Sequence, residues 1–75
     1  MVVRKGMWLV VGDRIGIANA VNDFSIEFHE VAEDGTTVNV ELIPVAKGGY
    51  RQAILAEIPA SRRPTPDVGQ ALGYV

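Results

Sequence analysis

Apolar and polar residues alternate along most of this chain with a period of two, and glycine, aspartate and proline punctuate the alternation. In residues 7–11, Met7, Leu9 and Val11 fall on one side of an extended chain and Trp8 and Val10 on the other, which predicts a strand that is apolar on both faces. Gly12 and Asp13 follow it. Glycine accepts the positive φ required at the first central position of a type II′ turn, so this pair predicts a tight hairpin. The return run places Ile15 and Ile17 on one face and the small residues Gly16 and Ala18 on the other.

A second hairpin is written more plainly. "SIEFHEV" alternates Ile26 and Phe28 against Glu27 and His29, and "TTVNVELI" alternates Val38, Val40 and Leu42 against Thr37, Asn39 and Glu41. Asp34-Gly35 between them is a hairpin turn signal. The expectation is that Ile26, Phe28, Val38, Val40 and Leu42 enter the core while the carboxylates Glu27, Glu30 and Glu41 form a wetted face.

After Pro44, "AKGG" supplies a flexible turn, and "YRQAILAEIP" is open to two readings. Alternation sets Tyr50, Gln52, Ile54, Ala56 and Ile58 on one face of a strand, while Gln52, Ala53, Leu55, Ala56 and Glu57 are good helix formers. The strand is preferred because it completes a set of short antiparallel strands, and Pro59 ends it. Thr65 then caps a short helix that has Pro66 in its first turn, Asp67 near its positive end and Gly73 beyond its stop, with Val68 and Leu72 as its apolar stripe. The fold class expected is all-β: a small five-stranded antiparallel SH3-like barrel over residues 1–60, with a basic loop and short C-terminal helix over 61–75 packing on it. Since closure removes much of the exposed strand edge, a bent barrel is the economical form at this length.

Composition narrows the chemistry. At 75 residues the chain holds one small core, and 48% hydrophobic with 21% charged residues is a globular composition. No cysteine is present, so disulfides and thiolate metal sites are excluded; the lone His29 leaves a zinc site short of nitrogen ligands, and no metal or cofactor is expected. The apolar run behind Arg4 and Lys5 is shorter than the roughly 7–15 residues of a secretory signal core. No run approaches the ~20 apolar residues of a membrane span, so a cytoplasmic protein is expected. Gly48-Gly49 lacks the spacing and the Lys-Ser/Thr of a phosphate loop. A carboxylate pair drawn from Glu27, Glu30 and Glu41 is read as a solvated face rather than an acid/base couple, and "RRPT" as a basic loop leading to a helix cap rather than a phosphorylation site.

One stretch carries a family likeness. "GMWLVVGDRIGIANAV" resembles the opening hairpin of small barrels of the KOW and Tudor-like kind, in which a glycine of the second strand allows tight backbone approach; Gly16 stands at that place. The whole chain also resembles, in size and style, the compact small-barrel proteins of bacteriophage and prophage gene sets, which would put it in the cytoplasm or within a virion. The likeness implies an SH3-like barrel and, for KOW modules, nucleic-acid binding.

Charge divides the chain. Residues 15–46 contain no Lys or Arg but hold Asp23, Glu27, Glu30, Glu33, Asp34 and Glu41, whereas Arg4, Lys5, Arg14, Lys47, Arg51, Arg62 and Arg63 lie outside. The reading taken is a non-enzymatic interaction or structural module that binds another protein or itself through Trp8, Tyr50, Arg51, Arg62 and Arg63. The alternative is a KOW-like nucleic-acid binder using Arg4, Lys5, Arg14, Arg51, Arg62 and Arg63, disfavoured by a net charge of -2. The strand that is apolar on both faces adds a demand of its own. If one face fills the core, the C-terminal helix, a loop or a second chain must cover the other, and a second chain is expected.

Overall fold

The computed structural model describes residues 2–63. Its strands are β1 (Trp8–Val11), β2 (Arg14–Val21), β3 (Ser25–Val31), β4 (Thr37–Pro44) and β5 (Tyr50–Gln52), with single 3-10 turns at Val45–Lys47, Leu55–Glu57 and Ala60–Arg62. All pairings are antiparallel and the sheet order is β4-β3-β2-β1-β5. The fold is therefore all-β, a five-stranded sheet in which the last strand returns to the first. β4 and β5 occupy the two edges, and among the described residues no ladder joins them. The helix expected from Thr65 onward lies outside the described residues.

The first hairpin follows from its turn. Val11 pairs with Arg14, leaving Gly12 and Asp13 as the connection, and Gly12 has φ 64° while Asp13 stays at negative φ. The pairing of Leu9 with Gly16 then puts Leu9, Gly16 and Ala18 on the inner face, as the alternation predicts, and all of them are buried. Gly16 is needed there. A Cβ on it would collide with the backbone carbonyl of His29 and lie 2.6 Å from Cε1 and 2.7 Å from Cζ of the Phe28 ring. The absent side chain is what lets β2 and the Phe28 ring share that space.

Phe28, Leu9 and Ile26 are the largest fully buried side chains, and with Ala18 and Ile43 they form the inner core. Val3, Met7, Val11, Val21, Val45 and Tyr50 close around it. A sheet that buries this set on one face has to curl, and two irregularities help it do so. The β2–β3 register slips between Ala18 and Ala20, so that Asn19 is an extra residue, and the β3–β4 register slips between Glu30 and Val31, which makes Val38 extra.

Two expectations fail here. The strand expected to run to Ile58 stops at Gln52, because its partner is short: Leu9 pairs with Gln52, and Ala53 N–H to Trp8 O at 2.9 Å is the last bond before β1 runs out. Residues 53–63 instead form the two later 3-10 turns, which leave Ile54 and Leu55 exposed and bury Ile58. The second failure is the facing of β4. Ile26 pairs with Ile43 and Phe28 with Glu41, so the inner face of β4 carries Ile43, Glu41 and Asn39. Val38, Val40 and Leu42, expected in the core, are 57%, 52% and 69% exposed. Register decides this, since moving a pairing by one residue exchanges the faces of a whole strand.

Candidate interaction surface

On the outer face, pairing aligns Trp8, Ile17, His29 and Val40 across β1, β2, β3 and β4. Val10 and Ile15 lie beside them, as do Val31 and Leu42. Part of this face is covered by the chain itself. After β5 the segment 53–63 crosses from one sheet edge toward the β3–β4 loop, and its Ala56, Ile58, Pro59 and Ala60 line a common cleft with Ile15 and Val31. Val10 is 8% exposed, Val31 5% and Ile58 7%. Both faces of β1 are thus buried within a single chain, and the cover over Val10 is a loop of that chain.

Of the sequence-derived contact residues, Trp8, Arg51, Arg62 and Arg63 make contacts that hold this strap. Arg62 lies over the Trp8 ring, 5.5 Å from its centroid, and donates from Nη1 to Gly35 O at 2.7 Å. Ser61 Oγ donates to Asp34 O at 3.3 Å. Arg63 donates to Ile58 O at 2.8 Å and Ala56 O at 3.0 Å. Arg51 grips Glu57 with both terminal nitrogens at 2.8 and 2.5 Å, and Glu57 also accepts from Ile54 N–H at 2.9 Å. The guanidinium bonds and this backbone N–H hold the Glu57 carboxyl down at about 2. Tyr50 is half-buried against the core and its hydroxyl donates to Val45 O at 3.2 Å.

The basic residues of the nucleic-acid alternative are dispersed in role. Arg14 points to the inner face, where it sits against Glu41, 3.5 Å from Glu30 Oε1 and 5.7 Å from the centroid of the Phe28 ring. Glu30 and Glu41 are therefore not part of a wetted outer face. They seal one end of the core with Arg14. Arg51, Arg62 and Arg63 are engaged in the strap as described and, like Arg4 and Lys5, are exposed. Glu27 is on the opposite side of the β3–β4 ladder from Glu41, because it pairs with Leu42. It accepts from Asn19 Nδ2 at 2.8 Å and lies 3.3 Å from His29 Nε2, and these contacts, that of Asn19 foremost, lower its pKa. His29, which the alternation sets opposite Ile26 and Phe28, is half-buried on the outer face.

Exposed on the outer face of β4 are Val40 and Leu42, and the bulge residue Val38 near them in sequence is exposed as well. The apolar pair coincides with an open edge: among the described residues β4 pairs with β3 alone. Val45 N–H donates to Phe24 O at 2.9 Å, which fixes the ladder's alternation. Ile43, Glu41 and Asn39 bond inward to β3, so the main-chain groups of Leu42 and Val40 point away from the sheet. Sequence reasoning missed this surface because it assigned those side chains to the core. The adjacent Leu42 and Ile43 are equally apolar, and either parity satisfied the alternation.

Among the described residues no helix is long and apolar enough to cross a membrane, and no group of three or more His, Cys, Asp or Glu side chains could hold a metal ion. Comparison with protein-family models, with curated proteins and with solved structures finds no match to this chain.

Proposed function

We propose that the chain is a non-enzymatic interaction module built on an SH3-like small barrel, which joins a protein partner, itself included, at a strand edge. The observation that carries this reading is the coincidence at β4 of an edge that is unpaired among the described residues with the exposed apolar side chains Val40 and Leu42. Edges of this kind are commonly blunted by lysine, proline or cover, and here Pro44 stands only at the strand's end. The barrel assignment draws support from the return of β5 to β1, the order of a sheet rolling toward closure, and from the bulges that bend β2 and β4.

The placement of the arginines weighs against a nucleic-acid module. A phosphate-binding face needs cations free to meet phosphates, whereas Arg14, Arg51, Arg62 and Arg63 are bound to carboxylates, carbonyls or rings of their own chain. Titration of the full chain with DNA and RNA oligonucleotides at low salt separates the two readings. No binding is expected; binding that weakens with the logarithm of salt would overturn the proposal in favour of the nucleic-acid module.

A further inference from the structure

Resting on that reading, we infer that the occupant of the β4 edge is an extended cationic segment of another protein. It adds antiparallel to β4, with apolar side chains at alternate positions and a lysine or arginine between them. The edge prescribes the alternation. The main-chain groups of Val40 and Leu42 point away from β3, so each can exchange both of its hydrogen bonds with one residue of an added strand. Those two residues bring their side chains to the outer face beside Val40 and Leu42, which are 52% and 69% exposed, so that face asks for apolar groups. The residue between them falls on the other face, beside Glu41.

Charge selects the residue beside Glu41. Among the described residues Arg14 is the one cation within ion-pair distance of Glu41, and it also lies 3.5 Å from Glu30, so two carboxylates share a single guanidinium. Lys47 lines a cleft with Glu41 but makes no ion pair with it. On the outer face Glu27 stands behind its pairing partner Leu42, and residues 15–46 as a whole hold six acidic side chains and no Lys or Arg. An added acidic residue would crowd a third carboxylate against Arg14, whereas an added cation balances the excess negative charge. The same charges weigh against a second copy of this chain. The antiparallel register that brings Val40 of each copy beside Leu42 of the other also sets Glu41 beside the second copy's Glu41. Val38 takes no part, since it is the bulge residue, and past Leu42 the strand ends at Pro44, which has no N–H to give.

A short capped peptide of alternating valine and lysine is the probe. Calorimetric titration into the full chain at low salt is expected to give a dissociation constant below about 1 mM, with a valine-glutamate peptide at least about tenfold weaker. N-methylation tests the edge itself. In antiparallel addition the valine N–H groups face β4 and the lysine N–H groups face away, so methylating the valines should abolish binding and methylating the lysines should spare it. Leu42→Lys, at a position exposed enough to leave the circular dichroism spectrum unchanged, should weaken the complex by about tenfold or more. No binding up to ~1 mM, the result if the chain itself or a second copy fills the edge, overturns the inference. So do equal binding of the lysine and glutamate peptides, equal binding of a peptide with its valines and lysines in separate blocks, and indifference to the methylated position or to Leu42→Lys. None of these touches the broader interaction reading, which fails only if oligonucleotides bind.

Discussion

Gly16 shows how much one missing side chain can settle. Its Cβ would have to occupy space held by the His29 carbonyl and the Phe28 ring, and both belong to the centre of the sheet. Gly16→Ala is expected to lower unfolding free energy by about 1–3 kcal/mol, as overpacking of a tight site does, and urea denaturation followed by tryptophan fluorescence measures it. Arg14 works by charge where Gly16 works by volume. With Arg14 removed, Glu30 and Glu41 face each other at the end of the core without a cation. Since these side chains are 24–35% exposed, Arg14→Gln is expected to cost about 1–2 kcal/mol, between the values for surface and buried pairs. Adding Glu41→Gln should recover part of that loss, because it removes one of the two like charges. Both residues stand out in the sequence, Gly16 as a glycine inside a strand pattern and Arg14 as the last basic residue before the acidic stretch. Their partners do not, since Phe28 and Glu41 reach them only through strand pairing.

At the scale of elements, turns were legible and register was not. Gly12-Asp13 specifies its hairpin through one backbone dihedral, a local property that any chain carrying the pair would share. The β3–β4 hairpin depends on a longer loop, in which Asp34 accepts from Thr36 Oγ1 at 2.7 Å and Thr36 N–H at 3.0 Å, and on the bulge at Val38. Those contacts lower the Asp34 pKa, the hydroxyl bond most. The resulting facing of β4 can be checked by neighbouring substitutions: Ile43→Ala should cost about 2–4 kcal/mol, and Leu42→Gln should stay within about 0.5 kcal/mol of wild type in equilibrium unfolding. If Leu42 proved the costlier site, the register would be wrong. In the 3-10 turn after β5, Glu57 has its folded pKa near 2, below its ordinary 4.5, so its contribution is complete above the ordinary value and is lost as pH falls toward 2. Thermal melts from pH 7 to pH 2 are expected to show Glu57→Gln less stable than wild type at neutral pH, with the difference vanishing at the acid end.

At the scale of the molecule, the strap of residues 53–63 turns a curled sheet into a structure with two buried faces. Arg62 joins the Trp8 ring on β1 to Gly35 in the loop between β3 and β4, so one side chain ties together regions far apart in sequence. A double-mutant cycle of Trp8→Leu and Arg62→Met should show a coupling of about 0.5–1 kcal/mol, and additivity would mean that the stacking contributes nothing. This is also where the sequence-derived contact surface changes meaning. Trp8, Arg51, Arg62 and Arg63, the residues expected at a contact surface, all touch the strap within the chain. By itself the sequence determined the all-β class, the hairpin turns, the burial of Ile26 and Phe28 on one face of β3, and the need to cover both faces of β1, because these depend on period, dihedral preference and local apolar content. The tertiary structure alone decided what covers Val10, where β5 ends and which face of β4 meets water. Those outcomes depend on a partner strand's length and on pairing parity, and neither is a property of the segment whose fate it decides.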